Sequence, residues 1–167
     1  IHPAYQLCQS MEQTISPWMF PHPVRNPSMG EEKVTSVLFV DIEGFTQFAE
    51  QNPAHEVAGI MNEYFKLAGT IIKEQGGRIV DYFGDGFLAI FGLDGTENHA
   101  DQAVQSGFAL QEAVKRFNVF VHAVTGMTFK IRLGAHTGPV IWGSIGIDGM
   151  KKNTAIGDTV NFASRLE

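Results

Sequence analysis

Two aspartates stand where proteins place an acid to hold a metal ion. Asp41 follows the unbroken apolar run Val37-Leu38-Phe39-Val40, which reads as a strand buried on both faces. The run ends at Asp41, and Glu43-Gly44-Phe45-Thr46 turns the chain into a helical pattern. A carboxylate there suits a hard cation bound to phosphate, with the amides of the helix start facing phosphate oxygens. The plainer reading is a turn-capping acid. Asp85 falls in Gly84-Asp85 between two apolar runs, a dipeptide that favours a two-residue hairpin turn. Aspartate is a common turn residue whatever the function, so this position also has a plain explanation. Asn161 and Arg165 are four residues apart in a segment opened by Gly157-Asp158-Thr159, and so share one helical face. The alternative for that pair is an ordinary solvated face.

Several elements must position these residues. Asn52-Pro53 ends one turn and starts a helix, in which Val57, Ile60, Met61, Tyr64, Phe65, Leu67, Ala68, Ile71 and Ile72 recur at helical spacing. These are core residues without chemistry, and Gly76-Gly77 closes the helix as a C-cap pair. Residues 78–83 and 86–92 read as the two strands of the hairpin. A second amphipathic helix is expected over 97–119, with Ala100, Ala103, Val104, Phe108, Leu110, Ala113, Val114 and Phe117 inward. His99 and His122 lack a partner at metal-ligand spacing and read as surface or helix-end residues. Residues 127–136 read as a strand, Thr137-Gly138-Pro139 as a turn, and 140–147 as the hairpin partner. Residues 148–153 form a polar hairpin end. The chain is therefore expected to be α+β, a ferredoxin-like βαββαβ core with an additional hairpin and a helix. That plan brings Asp41 beside Asp85.

Composition narrows the class. The 167 residues are 44% hydrophobic and 18% charged, with net charge −6. These values suit one globular domain and argue against a non-specific nucleic-acid or anionic-membrane surface. One cysteine, Cys8, excludes an internal disulfide framework. No apolar run reaches transmembrane length, so no membrane segment is expected. Residues 1–32 differ from the rest, with four prolines between Ser16 and Pro27 and the cluster Trp18-Met19-Phe20. They read as a connector from an upstream regulatory module, followed by the domain at 33–167. An initial Ile1 and a stop two turns into the last helix suggest a fragment whose C-terminal part is incomplete.

Three segments together resemble the catalytic domain of the class III nucleotidyl cyclases, bacterial type. They are LFVDIEGFTQFAE, GGRIVDYFGDGFLAIFG, and RLGAHTGPVIWGSIG with TAIGDTVNFASRLE. The resemblance implies a head-to-tail homodimer with two sites at its interface and a role in signal transduction. Asp41 and Asp85, helped by the Ile42 carbonyl, would bind two Mg2+ or Mn2+ ions. Amides from Glu43, Gly44, Phe45 and Thr46 would cradle the β and γ phosphates, and Arg132 would bind the terminal phosphates. Asn161 would orient the ribose from the partner subunit, and Arg165 would stabilise charge on the α-phosphate. Asp81 and Thr154 fall at the base-selecting positions. The acid at Asp81 resembles the guanylate pattern and Thr154 the bacterial adenylate pattern. The resulting expectation is conversion of ATP to cyclic AMP, with GTP as the alternative and a non-catalytic relay module as the reading from another class. A diguanylate cyclase or polymerase-palm relative is disfavoured, because GDGF is not that hairpin signature. The resemblance also implies an upstream sensor, a cytoplasmic catalytic domain, and a phosphate-binding Lys that would fall after Glu167.

Overall fold

The computed structural model describes residues 30–146 and 150–167. The expected connector, apart from its last three residues, and Asp148 and Gly149 of the polar hairpin end lie outside the described residues. The element order is β1 (Glu31–Ile42), α1 (Phe45–Gln51), α2 (Ala54–Glu74), β2 (Arg78–Phe83), β3 (Gly86–Phe91), α3 (His99–Thr125), β4 (Ile131–Ile145), β5 (Lys152–Ile156) and α4 (Asp158–Ser164). The strands form one sheet in the order β2-β3-β1-β4-β5, with every pair antiparallel. The first four strands have the ferredoxin-like order, as the sequence predicts. Among the described residues, no helix is long and apolar enough to cross a membrane.

Strand β1 is central and packed on both sides. Leu38, Val40 and Ile42 join Phe87, Ala89 and Phe91 under α2 and α3, where Ile60, Tyr64, Ile72 and Leu110 are buried. Each of these large side chains contributes about 1.5–3 kcal/mol by leaving water. On the other side Val37, Leu88, Ile90, Val140, Ala155 and Ala163 form a smaller core under α4. The strand is longer than its apolar run: it starts at Glu31 and ends at Ile42, which makes Asp41 penultimate. At the C-terminus of α2, Gly76 has φ 80°. Its N–H donates to the Lys73 carbonyl at 3.0 Å and the Gly77 N–H to Ile72 at 2.8 Å. This is the paired C-terminal motif in which glycine tolerates the left-handed turn.

Three expectations are corrected. No turn occurs at Thr137-Gly138-Pro139; β4 runs straight through, with Pro139 opposite Val34 on β1. The Pro139 carbonyl accepts the Thr159 Oγ1 hydrogen at 2.7 Å. It thus points away from β1, as would the N–H that proline lacks, and no ladder bond is lost. The hairpin instead joins β4 to β5, with Ile145 opposite Lys152, so Thr154 lies within a strand. The second helix runs to Thr125, and its buried stripe is Ala103, Ser106, Gly107, Leu110, Ala113, Val114 and Val121. Ala100, Val104 and Phe108 are exposed; the last two line an open groove beside Leu133 and Ala135. Their spacing fits the helical period, but the stripe through Ala103, Gly107, Leu110 and Val114 is the one that faces inward.

Candidate active site

The side chains with chemical potential gather at the end of β1, on the face that α4 covers. Asp41 lies opposite Arg132 in the β1–β4 register, and directly opposed residues point to the same side. Arg132 Nη2 pairs with Asp41 Oδ2, whose side chain is 19% exposed. From the other neighbour, the β2–β3 turn folds Asp85 back so that its Oδ2 accepts the Ile42 N–H at 3.1 Å. The two acids thereby come close, and burial followed by the neighbouring Asp41 carboxyl pushes Asp85 above the ordinary carboxylate range. Bonds from backbone amides oppose that rise without reversing it. Two carboxylates held this close repel when both ionise, so the arrangement favours a positive charge between them. Arg132 supplies that charge from one side only.

The turn after β1 is built for backbone exposure. Gly44 adopts φ 71°, ψ 19° at the start of α1, a conformation that other residues reach only with strain. The Glu43 N–H donates to the Lys130 carbonyl at 2.8 Å. It is therefore engaged, which removes Glu43 from the four amides expected to face phosphate. The first amides of a helix have no acceptor within it.

Helix α4 sits on β4 because two glycines leave room. A Cβ on Gly134 would lie 2.2 Å from the Ala163 carbonyl oxygen, and one on Gly138 2.7 Å from Thr159 Oγ1. Asn161 and Arg165 are exposed on this helix and its C-cap, and the Arg165 guanidinium lies 5.9 Å from the Phe162 ring centroid. Among the described residues, no hydrogen bond or ion pair links Asn161 or Arg165 to Asp41 or Asp85. The structure thus brings Asp41, Ile42, Asp85 and Arg132 together, with Asn161 and Arg165 unbonded to them on the neighbouring helix.

Asp81 and Thr154 come from opposite edges of the sheet. Strands β2 and β5 nevertheless approach one another, and Lys152 Nζ pairs with Asp81 Oδ1. Lys152 is two residues from Thr154. Its role is absent from the sequence analysis because a polar hairpin end gives no signal of what lies across space from it. Glu167 was likewise missed. Burial first, then the Asp41 charge, raises its carboxyl, while Arg132 acts the other way. Beneath the site, the Tyr64 phenol is raised by burial and then by the charges of Asp85 and Asp41.

Comparison with known proteins places the fold in a family. The chain belongs to the adenylate and guanylate cyclase catalytic domain family, whose profile matches residues 28–167. It is 35% identical over 137 residues to Adenylate cyclase 1 of Rhizobium meliloti (strain 1021), covering 81% of this chain and 20% of that protein. The crystal structure of the guanylyl cyclase Cya2 matches with a TM-score of 0.80 at 31% identity, over 83% of this chain and 71% of that one. The adenylyl cyclase CyaB from P. aeruginosa matches with 0.79 at 33%, over 82% and 72%. The chain is thus similar to enzymes named for either base, and it spans a small part of its curated relative's length.

Proposed function

We propose that this domain converts ATP to 3′,5′-cyclic AMP and pyrophosphate at a site completed by a second copy of the chain. The observation that carries the reading is the convergence of Asp41 and Asp85 from β1 and the β2–β3 turn. Among the described residues, no group of three or more His, Cys, Asp or Glu side chains is placed to hold a metal. A pair of carboxylates suits a cation that takes its remaining ligands from phosphate, as Mg2+ commonly does. Two Mg2+ or Mn2+ ions held by Asp41, Asp85 and the Ile42 carbonyl would acidify the ribose 3′-hydroxyl and screen the triphosphate.

The residues of the chain do the rest. The 3′-oxygen attacks the α-phosphorus, the bond to the bridging oxygen breaks, pyrophosphate leaves and the hydroxyl proton passes to solvent. The amides of Gly44, Phe45 and Thr46 hold phosphate oxygens, and Arg132 binds the terminal phosphates through charge-assisted bonds. Asn161 and Arg165 of the second copy orient the ribose and stabilise charge developing on the α-phosphate. Both side chains are exposed and make no bond to the acids within one chain, which leaves them free to serve a shared site.

Thr154 and the engagement of Asp81 by Lys152 favour ATP, whereas the carboxylate of Asp81 favours GTP as the second reading. Product analysis with Mn2+ and each nucleotide separately tests the choice. Cyclic AMP from ATP is expected; cyclic GMP as the main product would overturn the substrate assignment. Nucleotide binding without either product would favour the relay reading. Mixing inactive Asn161→Ala and Asp41→Ala proteins tests the shared site. Random exchange should restore roughly a quarter of the parent rate, because half the dimers keep one intact site. No recovery would count against it.

A further inference from the structure

The Asp81–Lys152 pair joins the two outermost strands, β2 and β5, across a sheet in which three strands separate them. Its side chains are 35% and 54% exposed, and an ion pair so open to water adds little to folding stability. Its position is the informative feature. Lys152 and Thr154 alternate along β5 and so share a face, which links Asp81 to the second base-selecting position. Resting on the cyclase reading above, we propose that Lys152 is a specificity-determining residue, and that the Asp81–Lys152 pair, not Asp81 alone, reads the purine.

The argument is one of donors and acceptors. A carboxylate with both oxygens free offers two neighbouring acceptors and no donor. Guanine complements it with adjacent N1–H and N2 amino donors. Once Lys152 engages one oxygen, the pair offers one remaining acceptor beside an ammonium with unused donors. Adenine satisfies that array fully, with its N6 amino donor next to its N1 acceptor, whereas guanine can set only N1–H and O6 against it and loses the second carboxylate contact to its N2 amino group. The Thr154 hydroxyl, which both donates and accepts, is compatible with either base. The acid at Asp81 therefore does not by itself make this a guanine site. Lys152 converts a two-acceptor edge into an acceptor–donor edge.

The test compares the parent with Lys152→Ala and Lys152→Arg in Mn2+. Two quantities are measured: kcat/KM for ATP and GTP, and equilibrium binding of fluorescent ATP and GTP analogues. Lys152→Ala should raise the GTP-to-ATP ratio about tenfold in both, the size of one lost hydrogen bond to a charged group. Lys152→Arg, which keeps a cationic donor, should stay near the parent ratio. In an Asp81→Ala background, removing Lys152 should shift the ratio far less. A parent that makes cyclic nucleotide while Lys152→Ala leaves both ratios within twofold would overturn the inference and leave the cyclase reading standing. A parent that binds neither analogue and makes neither product would overturn the cyclase reading, and this inference with it.

Discussion

The face of the sheet beneath α2 and α3 and the face beneath α4 are built from the same strands, yet their side chains meet different surroundings. The first is closed by two long helices, and residues such as Tyr64, Phe87, Phe91 and Leu110 are fully buried there. The second has one seven-residue helix over a smaller apolar cluster. Its open end carries Asp41 and Arg132, with Asp85 folded in from the turn. Apolar burial is concentrated on the closed face, and the residues proposed for chemistry lie on the open one. Two half-buried acids side by side are costly when both ionise, and the pair is tolerable here because one side remains accessible to a cation.

Breaking the open face should give the largest effect on rate. Asp85→Ala is expected to lower cyclic nucleotide formation by about a thousandfold or more, since charge stabilisation at the reacting phosphate is lost. Thermal unfolding should change little, because Asp85 occupies an exposed-rimmed turn. Retention of Mn2+-dependent turnover would sink the assignment of this acid. Breaking the closed face should do the reverse. Leu110→Ala leaves a cavity in the main core and should cost about 2–5 kcal/mol in denaturant unfolding, while the folded fraction keeps its turnover per molecule.

Gly134→Ala probes where the two faces meet. A methyl group there collides with the backbone of α4, so the helix bearing Asn161 must shift. Overpacking of this kind costs about 1–3 kcal/mol, and turnover should fall more than the stability loss explains. Equal losses in both would show that α4 has no separate catalytic task.

The smallest expected effect sharpens the electrostatic difference. With its carboxyl raised in the folded protein, Asp85 binds a proton more readily folded than unfolded. Its contribution to stability is therefore present at low pH and is lost as pH rises through the folded value. In metal-free protein, Asp85→Asn should melt higher than the parent near neutral pH, with the difference shrinking toward the ordinary carboxylate range. A difference that grows on acidification would contradict the repulsion between the two acids.

Much of this was legible in the chain because the signals are local. The apolar run of β1 marks a strand packed on both sides, and Gly84-Asp85 marks a tight turn between two strands. Gly76-Gly77 marks the end of α2 through a left-handed residue that only glycine adopts cheaply. Thr137-Gly138-Pro139 misled for a physical reason. Glycine and proline punctuate turns in most contexts, but Gly138 makes room for Thr159 and Pro139 has its donorless side facing outward. Both requirements come from α4, twenty residues further along.

The sequence by itself determined the strand and helix succession, the antiparallel core, and the residues proposed to hold a cation and phosphate. It did so because apolar periodicity, turn chemistry and capping act over a few residues. Only the tertiary structure decided which of those residues meet. The β1–β4 register puts Arg132 on Asp41, and the β2–β3 turn returns Asp85 to Ile42. The approach of two edge strands gives Asp81 its partner Lys152. Such contacts span 43 to 91 residues of chain, and they depend on sheet order, register and curvature, which no short stretch of sequence encodes.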